Sequence, residues 1–239
     1  SEGVKGSIEA LGVSTERLSG DNAVGTSLDI YEEGTKAGAN GTNAWGKTCI
    51  VATNGGYWDA LAASPFAYDQ HAPIFLYNAD TEKLDDSVVD AIRDGGFTRV
   101  IICGGTAAVP GTVEGQLSGI GPSGTGVVDR YGGDTAVETS ALIAQACVAT
   151  KAGDNGAGIP AMGADGVAVA TNDGYWDALT GAALCGKNGA PLVLASDGNR
   201  GAITGFVADH KADITEAYVF GGTTAVSDAT YDAVVAALK

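Results

Sequence analysis

The sequence predicts an α/β fold made of two tandem repeats, each with a parallel β-sheet flanked by helices. Three observations point there. The segment Val51-Ala52-Thr53-Asn54-Gly55-Gly56-Tyr57-Trp58-Asp59-Ala60-Leu61 returns as Val169-Ala170-Thr171-Asn172-Asp173-Gly174-Tyr175-Trp176-Asp177-Ala178-Leu179, so one unit is written twice. Three further blocks recur in the same order: Arg17-Leu18-Ser19-Gly20-Asp21 with Arg130-Tyr131-Gly132-Gly133-Asp134, Ala72-Pro73-Ile74-Phe75-Leu76 with Ala190-Pro191-Leu192-Val193-Leu194, and Gly104-Gly105-Thr106-Ala107-Ala108-Val109 with Gly221-Gly222-Thr223-Thr224-Ala225-Val226. Within each unit, near-continuous runs of Val, Ile, Leu and Phe alternate with helical stretches, the pattern of parallel strands buried on both faces.

The elements follow in order. Residues 1–16 carry Val4, Ile8 and Leu11 at helical spacing and resemble the end of the first unit, as the last helix of a preceding copy would. The first unit then covers 17–128 and the second 129–239. Each opens on an Arg-x-x-Gly-Asp head and a helix, Asn22 to Lys36 or Thr135 to Lys151, followed by a Gly-rich loop, Gly38 to Gly46 or Gly153 to Gly166. A strand comes next, Thr48 to Thr53 or Gly166 to Thr171, ending in a turn into a helix that starts Tyr-Trp-Asp. Pro73 and Pro191 introduce a second strand. Lys83 to Asp94 and Arg200 to His210 read as helices, the first with Leu84, Val88, Val89 and Ile92 on one face. Arg99 to Cys103 and Ala217 to Phe220 form the third strand and end in Gly-Gly. Right-handed crossovers place every Thr-Asn and Gly-Gly turn at the carboxyl edge of its sheet, where open α/β folds hold ligands.

Composition excludes several classes. The 13 Lys and Arg against 29 Asp and Glu give a formal charge of −16, and the basic residues are scattered, which argues against nucleic acid as a partner. No run of about 18 apolar residues exists, so no membrane insertion is expected. Ser1-Glu2-Gly3 lacks the start of a signal peptide, which reads as a mature, cytosolic or excised chain. Cys49, Cys103, Cys147 and Cys185 show no Cys-x-x-Cys spacing, and no metal site is expected. Buried free thiols are the favoured reading, with a Cys147–Cys185 bridge as the minor alternative. No catalytic residues are expected: His71 and His210 are not duplicated, and an evenly duplicated enzyme should duplicate its base or nucleophile.

Taken together, the Arg-x-x-Gly head, the Trp-Asp-Ala-Leu helix start, the Ala-Pro-x-x-Leu strand and the Gly-Gly-x-x-Ala-Val turn resemble the type 2 cell-wall-binding repeat of Gram-positive surface proteins. The resemblance covers nearly the whole chain, twice. It implies a Rossmann-like unit, usually in three copies, that holds surface-layer proteins, adhesins or wall hydrolases noncovalently to anionic wall polymers. It implies an extracellular location at the cell wall. The family head continues Asp-Arg-Tyr-Glu-Thr-Ala, whereas the Asp-Arg-Tyr positions here are Asn22-Ala23-Val24 and Thr135-Ala136-Val137, so the second arginine is absent from both heads.

Candidate ligand-binding residues follow from the turns and the heads. Arg17 and Arg130 can grip a carboxylate or phosphate, or fasten one repeat to the next, and their place at the junctions favours fastening. Asn54 and Asn172 stand at helix starts suited to an anion, where Asp59 and Asp177 are favoured as capping residues. Tyr57 with Trp58 and Tyr175 with Trp176 can stack on a sugar or pack between repeats. Gly105 and Gly222 allow close backbone approach but are favoured as tight turns, since neither P-loop nor dinucleotide spacing is present.

The expected function is non-catalytic anchoring to an anionic cell-wall polysaccharide or teichoic-acid-like polymer. The alternative is an adhesin or assembly scaffold that meets a protein partner. No cofactor is expected beyond an allowance for a bridging divalent cation, and the residues equally admit a homo-oligomer or an additional repeat.

Overall fold

A computed structural model describes residues 1–36, 45–148, 162–163 and 165–239. In the first half, α1 (Glu2–Glu9) and α2 (Ala23–Thr35) precede β1 (Thr48–Thr53), α3 (Trp58–Gln70), β2 (Ile74–Tyr77), α4 (Asp86–Asp94), β3 (Arg99–Cys103) and α5 (Thr112–Gln116). β4 (Val127–Tyr131) and α6 (Ala136–Cys147) lead into β5 (Gly166–Thr171), α7 (Trp176–Asn188), β6 (Leu192–Ala195), α8 (Gly201–His210), β7 (Glu216–Phe220) and α9 (Asp228–Ala237). The predicted three strands per unit are present and parallel. The helix expected over Thr135 to Lys151 is described as far as Cys147, and most of both Gly-rich loops lies outside the described residues.

The strands assemble into two sheets of order β2-β1-β3-β4 and β6-β5-β7. β1 and β5 are buried along their whole length, which is why they read as unbroken apolar runs. One strand was not expected. β4 contains Val127, Val128 and Arg130 and pairs parallel with β3, opposing Val100 with Val128 and Ile102 with Arg130. The division drawn at 128/129 therefore falls inside a strand that completes the first sheet.

Both head helices start on a side-chain cap and are clamped to their sheets in the same way. The Asn22 carboxamide oxygen accepts from Gly25 N at 2.9 Å, and Thr135 with Glu138 forms a reciprocal capping box. Ser27 Oγ donates to Val24 O and accepts from Leu76 N in β2, and Ser140 Oγ donates to Val137 O and accepts from Leu194 N in β6. A hydroxyl that takes both a helix carbonyl and a strand amide satisfies two backbone groups near the helix start. α6 does more than α2, for Ile143, Ala146 and Cys147 also enter the core formed by Ala62, Ala63 and Phe66 of α3. It thereby joins the halves, together with the packing of α3 on α7. All four cysteines are free and buried.

Candidate functional site

β1 feeds α3 and then β2 on one side, whereas β3 feeds α5 and then β4 on the other. Chains leaving adjacent strands in opposite directions open a crevice at the carboxyl edge. A cleft of about 410 Å³ lies there, lined by Thr53, Gly55, Trp58, Asp59 and Gly105 of the first half and by Gly133, Asp134, Thr135 and Thr139 from the head of the second. The cleft is thus built jointly by the two repeats. Its edges are tied by local hydrogen bonds: Gly55 N donates to Thr53 Oγ1 at 3.0 Å and Gly133 N donates to Thr139 Oγ1 at 3.0 Å. Trp58 Nε1 donates to Asn172 O at 2.7 Å, which pins the indole across the repeat boundary.

Asp59 corrects a sequence expectation. It was favoured as a cap for the α3 N-terminus, but that helix start carries no side-chain cap, and among the described residues no N–H or hydroxyl donates to its carboxylate. The residue is only 9% exposed. Burial pushes its carboxyl up from the usual carboxylate range. The carboxylate lies against the Gly-Gly turn: a Cβ on Gly104 would stand 2.6 Å from Asp59 Oδ2, and Gly104 has φ +115°. Asp177 meets Gly221 in the same manner, at 2.6 Å with φ +107°. Both the close approach and the positive φ require glycine, so the tight-turn geometry is built around the aspartate as well as the chain reversal.

The remaining candidates scatter. Gly105 lines the cleft with Trp58, whereas Gly222 faces open space. Asn54 Oδ1 accepts from Ala79 N at 2.8 Å and so ties the β1 turn to the β2 turn. The Asn172 carbonyl serves Trp58, and its Oδ1 is buried without a partner. Tyr57 meets Tyr175 edge-on at 5.3 Å, so these rings pack between repeats, and each also lies against its neighbouring tryptophan. Trp176 is 63% exposed. Arg130 Nε donates to Glu114 Oε1 and Nη1 to Gly104 O, both at 2.8 Å, the fastening geometry favoured at the junction. Arg17 lies 3.7 Å from Glu2, away from the cleft. His210 bonds Gln145 and packs on Phe206, while His71 ends α3.

The cleft's lining contains two carboxylates and no Lys, Arg or His. Among the described residues no group of three or more His, Cys, Asp and Glu side chains could hold a metal ion. The arrangement offers hydrogen-bond acceptors, an aromatic edge and backbone at close range. The sequence-based ligand-binding candidates did not include Asp59, Asp134 or Thr139, although Asp59 and Asp134 are duplicated in Asp177 and Asp21.

The chain is 28% identical over 220 residues to the N-acetylmuramoyl-L-alanine amidase LytC of Bacillus subtilis (strain 168), a match covering 92% of this chain and 38% of the amidase. Among solved structures it is similar to Cwp8 from Clostridium difficile, with TM-score 0.68, 22% identity, and coverage of 99% of this chain and 36% of that one. Cwp6 from the same organism gives TM-score 0.68 and 21% identity, covering 94% of this chain and 33% of that one. These likenesses show the fold, and the chain spans between 33% and 38% of each relative. The model of cell wall binding domain 2 matches residues 17–114 and again 130–231. With a parallel sheet in each half and that match over both, the chain belongs to the cell wall binding domain 2 family.

Proposed function

We propose that this chain is a non-catalytic anchoring module that attaches its parent protein, noncovalently, to an anionic glycopolymer of the Gram-positive wall. The observation that carries this reading is the cleft shared by the two repeats at the carboxyl edge of the first sheet, a ligand position for this topology whose walls are preformed. Membership of a cell-wall-binding family supports a wall component as the ligand. Trp58 and Gly105 are the ligand-facing candidates of the original set, and Arg130 supports the cleft from behind by holding Gly104 O.

Cosedimentation with purified Gram-positive walls, before and after mild acid extraction of the attached polymers, tests this. Pelleting that disappears with the polymers is the expected result. Equal pelleting with stripped walls would move the ligand to peptidoglycan, and no pelleting with either would remove the anchoring reading in favour of a protein-binding scaffold.

A further inference from the structure

We infer that the shared cleft reads the hydroxyl groups of an uncharged sugar unit, with Asp59 as the principal hydrogen-bond acceptor, and does not hold the phosphates or carboxylates of the polymer. This rests on the anchoring reading and names the part of the glycopolymer that is recognised.

Asp59 is the first reason. A carboxylate that is 9% exposed, shifted by burial and with no hydrogen bond beside it is poorly supplied with donors. Such a group costs stability unless something else supplies donors, and it faces the cleft. The second reason is the charge of the lining. Asp59 and Asp134 are the only ionisable side chains of its lining, so a bound phosphate would meet two carboxylates there, while the Arg130 guanidinium lies behind the lining on Gly104 O and Glu114. The N-terminus of α3 favours negative charge, but Asp59 in its first turn already supplies that charge.

Sugar hydroxyls fit both facts. An ionised carboxylate is acceptor-only and can take two hydroxyl donors from one ring in charge-assisted bonds. Trp58 adds an aromatic surface whose orientation is fixed by its bond to the Asn172 carbonyl, so little is lost in ordering it on binding. At about 410 Å³ the cleft is within the range of small-ligand sites. Asp134 reaches the cleft from the second repeat, so a ligand bound there touches both copies.

The experiment compares the wild-type chain, Asp59→Asn and Asp177→Asn by calorimetric titration. The probes are the neutral oligosaccharide units released from the wall glycopolymer by hydrofluoric acid cleavage of its phosphodiesters, the intact polymer, and glycerol 1-phosphate. The neutral oligosaccharide is expected to bind the wild type, to bind Asp59→Asn roughly ten-fold or more weakly, and to bind Asp177→Asn unchanged, because Asp177 lies outside the cleft. Glycerol 1-phosphate is expected not to compete. Thermal melting keeps the test clear of misfolding: Asp59→Asn removes a charge that burial disfavours and should melt no lower than the wild type. If intact polymer binds but the neutral units do not, or if glycerol 1-phosphate displaces the polymer, the cleft reads anions and the inference fails. Full-strength binding by Asp59→Asn also overturns it. Failure of the wild type to bind even the intact polymer would instead strike the anchoring reading beneath it.

Discussion

The two repeats carry the same helix start at the same rim, yet they bury it to opposite extents. Leu61 of α3 is 6% exposed, and its counterpart Leu179 of α7 is 56% exposed. Trp58 donates to a carbonyl of the other repeat, whereas Trp176 stands in solvent. Phe66 is fully packed against α6, while Leu184 at the matching position is exposed. The sheets show the same contrast: β3 is covered by β4 and buried beyond Arg99, and β7, at the edge of its sheet, is exposed at Glu216 and Ala217 and only partly buried from Tyr218 to Phe220. What differs is the neighbour. The head of the second repeat supplies a strand, a helix and one wall of the cleft to the first, and the described residues supply no equivalent to the second. A complete cleft at this rim therefore takes two consecutive units, and sequence identity between units does not make their rims equal.

That comparison can be broken by substitution. Leu61→Ala should cost about 3 kcal/mol in urea unfolding, for it empties a packed position between the repeats. Leu179→Ala should fall within about 0.5 kcal/mol of the wild type. Comparable losses at the two positions would show that α7 is covered in solution.

The Gly-Gly turns should behave alike, because each is built around its own aspartate. Gly104→Ala and Gly221→Ala are each expected to cost about 2 kcal/mol, measured by the same unfolding, through the positive φ and the crowding of Asp59 or Asp177. A large loss at Gly104 alone would mean that only the first turn is held rigidly.

Asp59→Asn should raise stability by about 1 kcal/mol near neutral pH. The sign follows from the raised native value of this carboxyl. An acid whose pKa is higher in the folded state penalises folding where it is ionised, and the penalty fades as pH falls through that raised value. The gap between variant and wild type should thus be widest near neutrality and close on acidification, as read from melting curves across pH. A gap that widens in acid would contradict the assignment of an unpartnered carboxylate.

The smallest effect is expected at the end of α3. His71 takes a left-handed conformation with φ +50°, and its counterpart Gly189 takes φ +66°. His71→Gly should stabilise by about 0.5 kcal/mol, since glycine accepts this geometry without Cβ strain although it also loosens the unfolded chain. No change would indicate that contacts of the imidazole compensate.

Much of this was legible in the chain. The duplication, the alternation of apolar strand runs with helices, and the grouping of Thr-Asn and Gly-Gly turns at one edge follow from periodicity and turn chemistry, which act over a few residues. The repeated block also exposed Asp59 and Gly105 as residues worth attention. The sequence read Arg130 as a junction fastener, and it fastens β4 to the first repeat through Glu114 and Gly104. β4 itself was hidden: Val127 and Val128 form a short run behind a Gly, Pro and Ser stretch, and their pairing partner lies in the preceding unit. The Ser27 and Ser140 clamps were equally silent, since a serine near a helix start reads locally as a cap.

The sequence by itself determined the class of fold, the repeat count within this chain and the residues that form each turn, because those depend on local backbone preference and on which side chains avoid water. Only the tertiary structure decided which repeat owns a complete cleft, that Asp59 caps nothing, and that Tyr57 and Tyr175 pack on each other while Trp176 does not. Those outcomes depend on which surfaces meet across more than 100 residues of chain, as in the bond from Trp58 to Asn172, where the two residues stand 114 apart. An identical motif in both units carries no mark of whether a neighbour covers it.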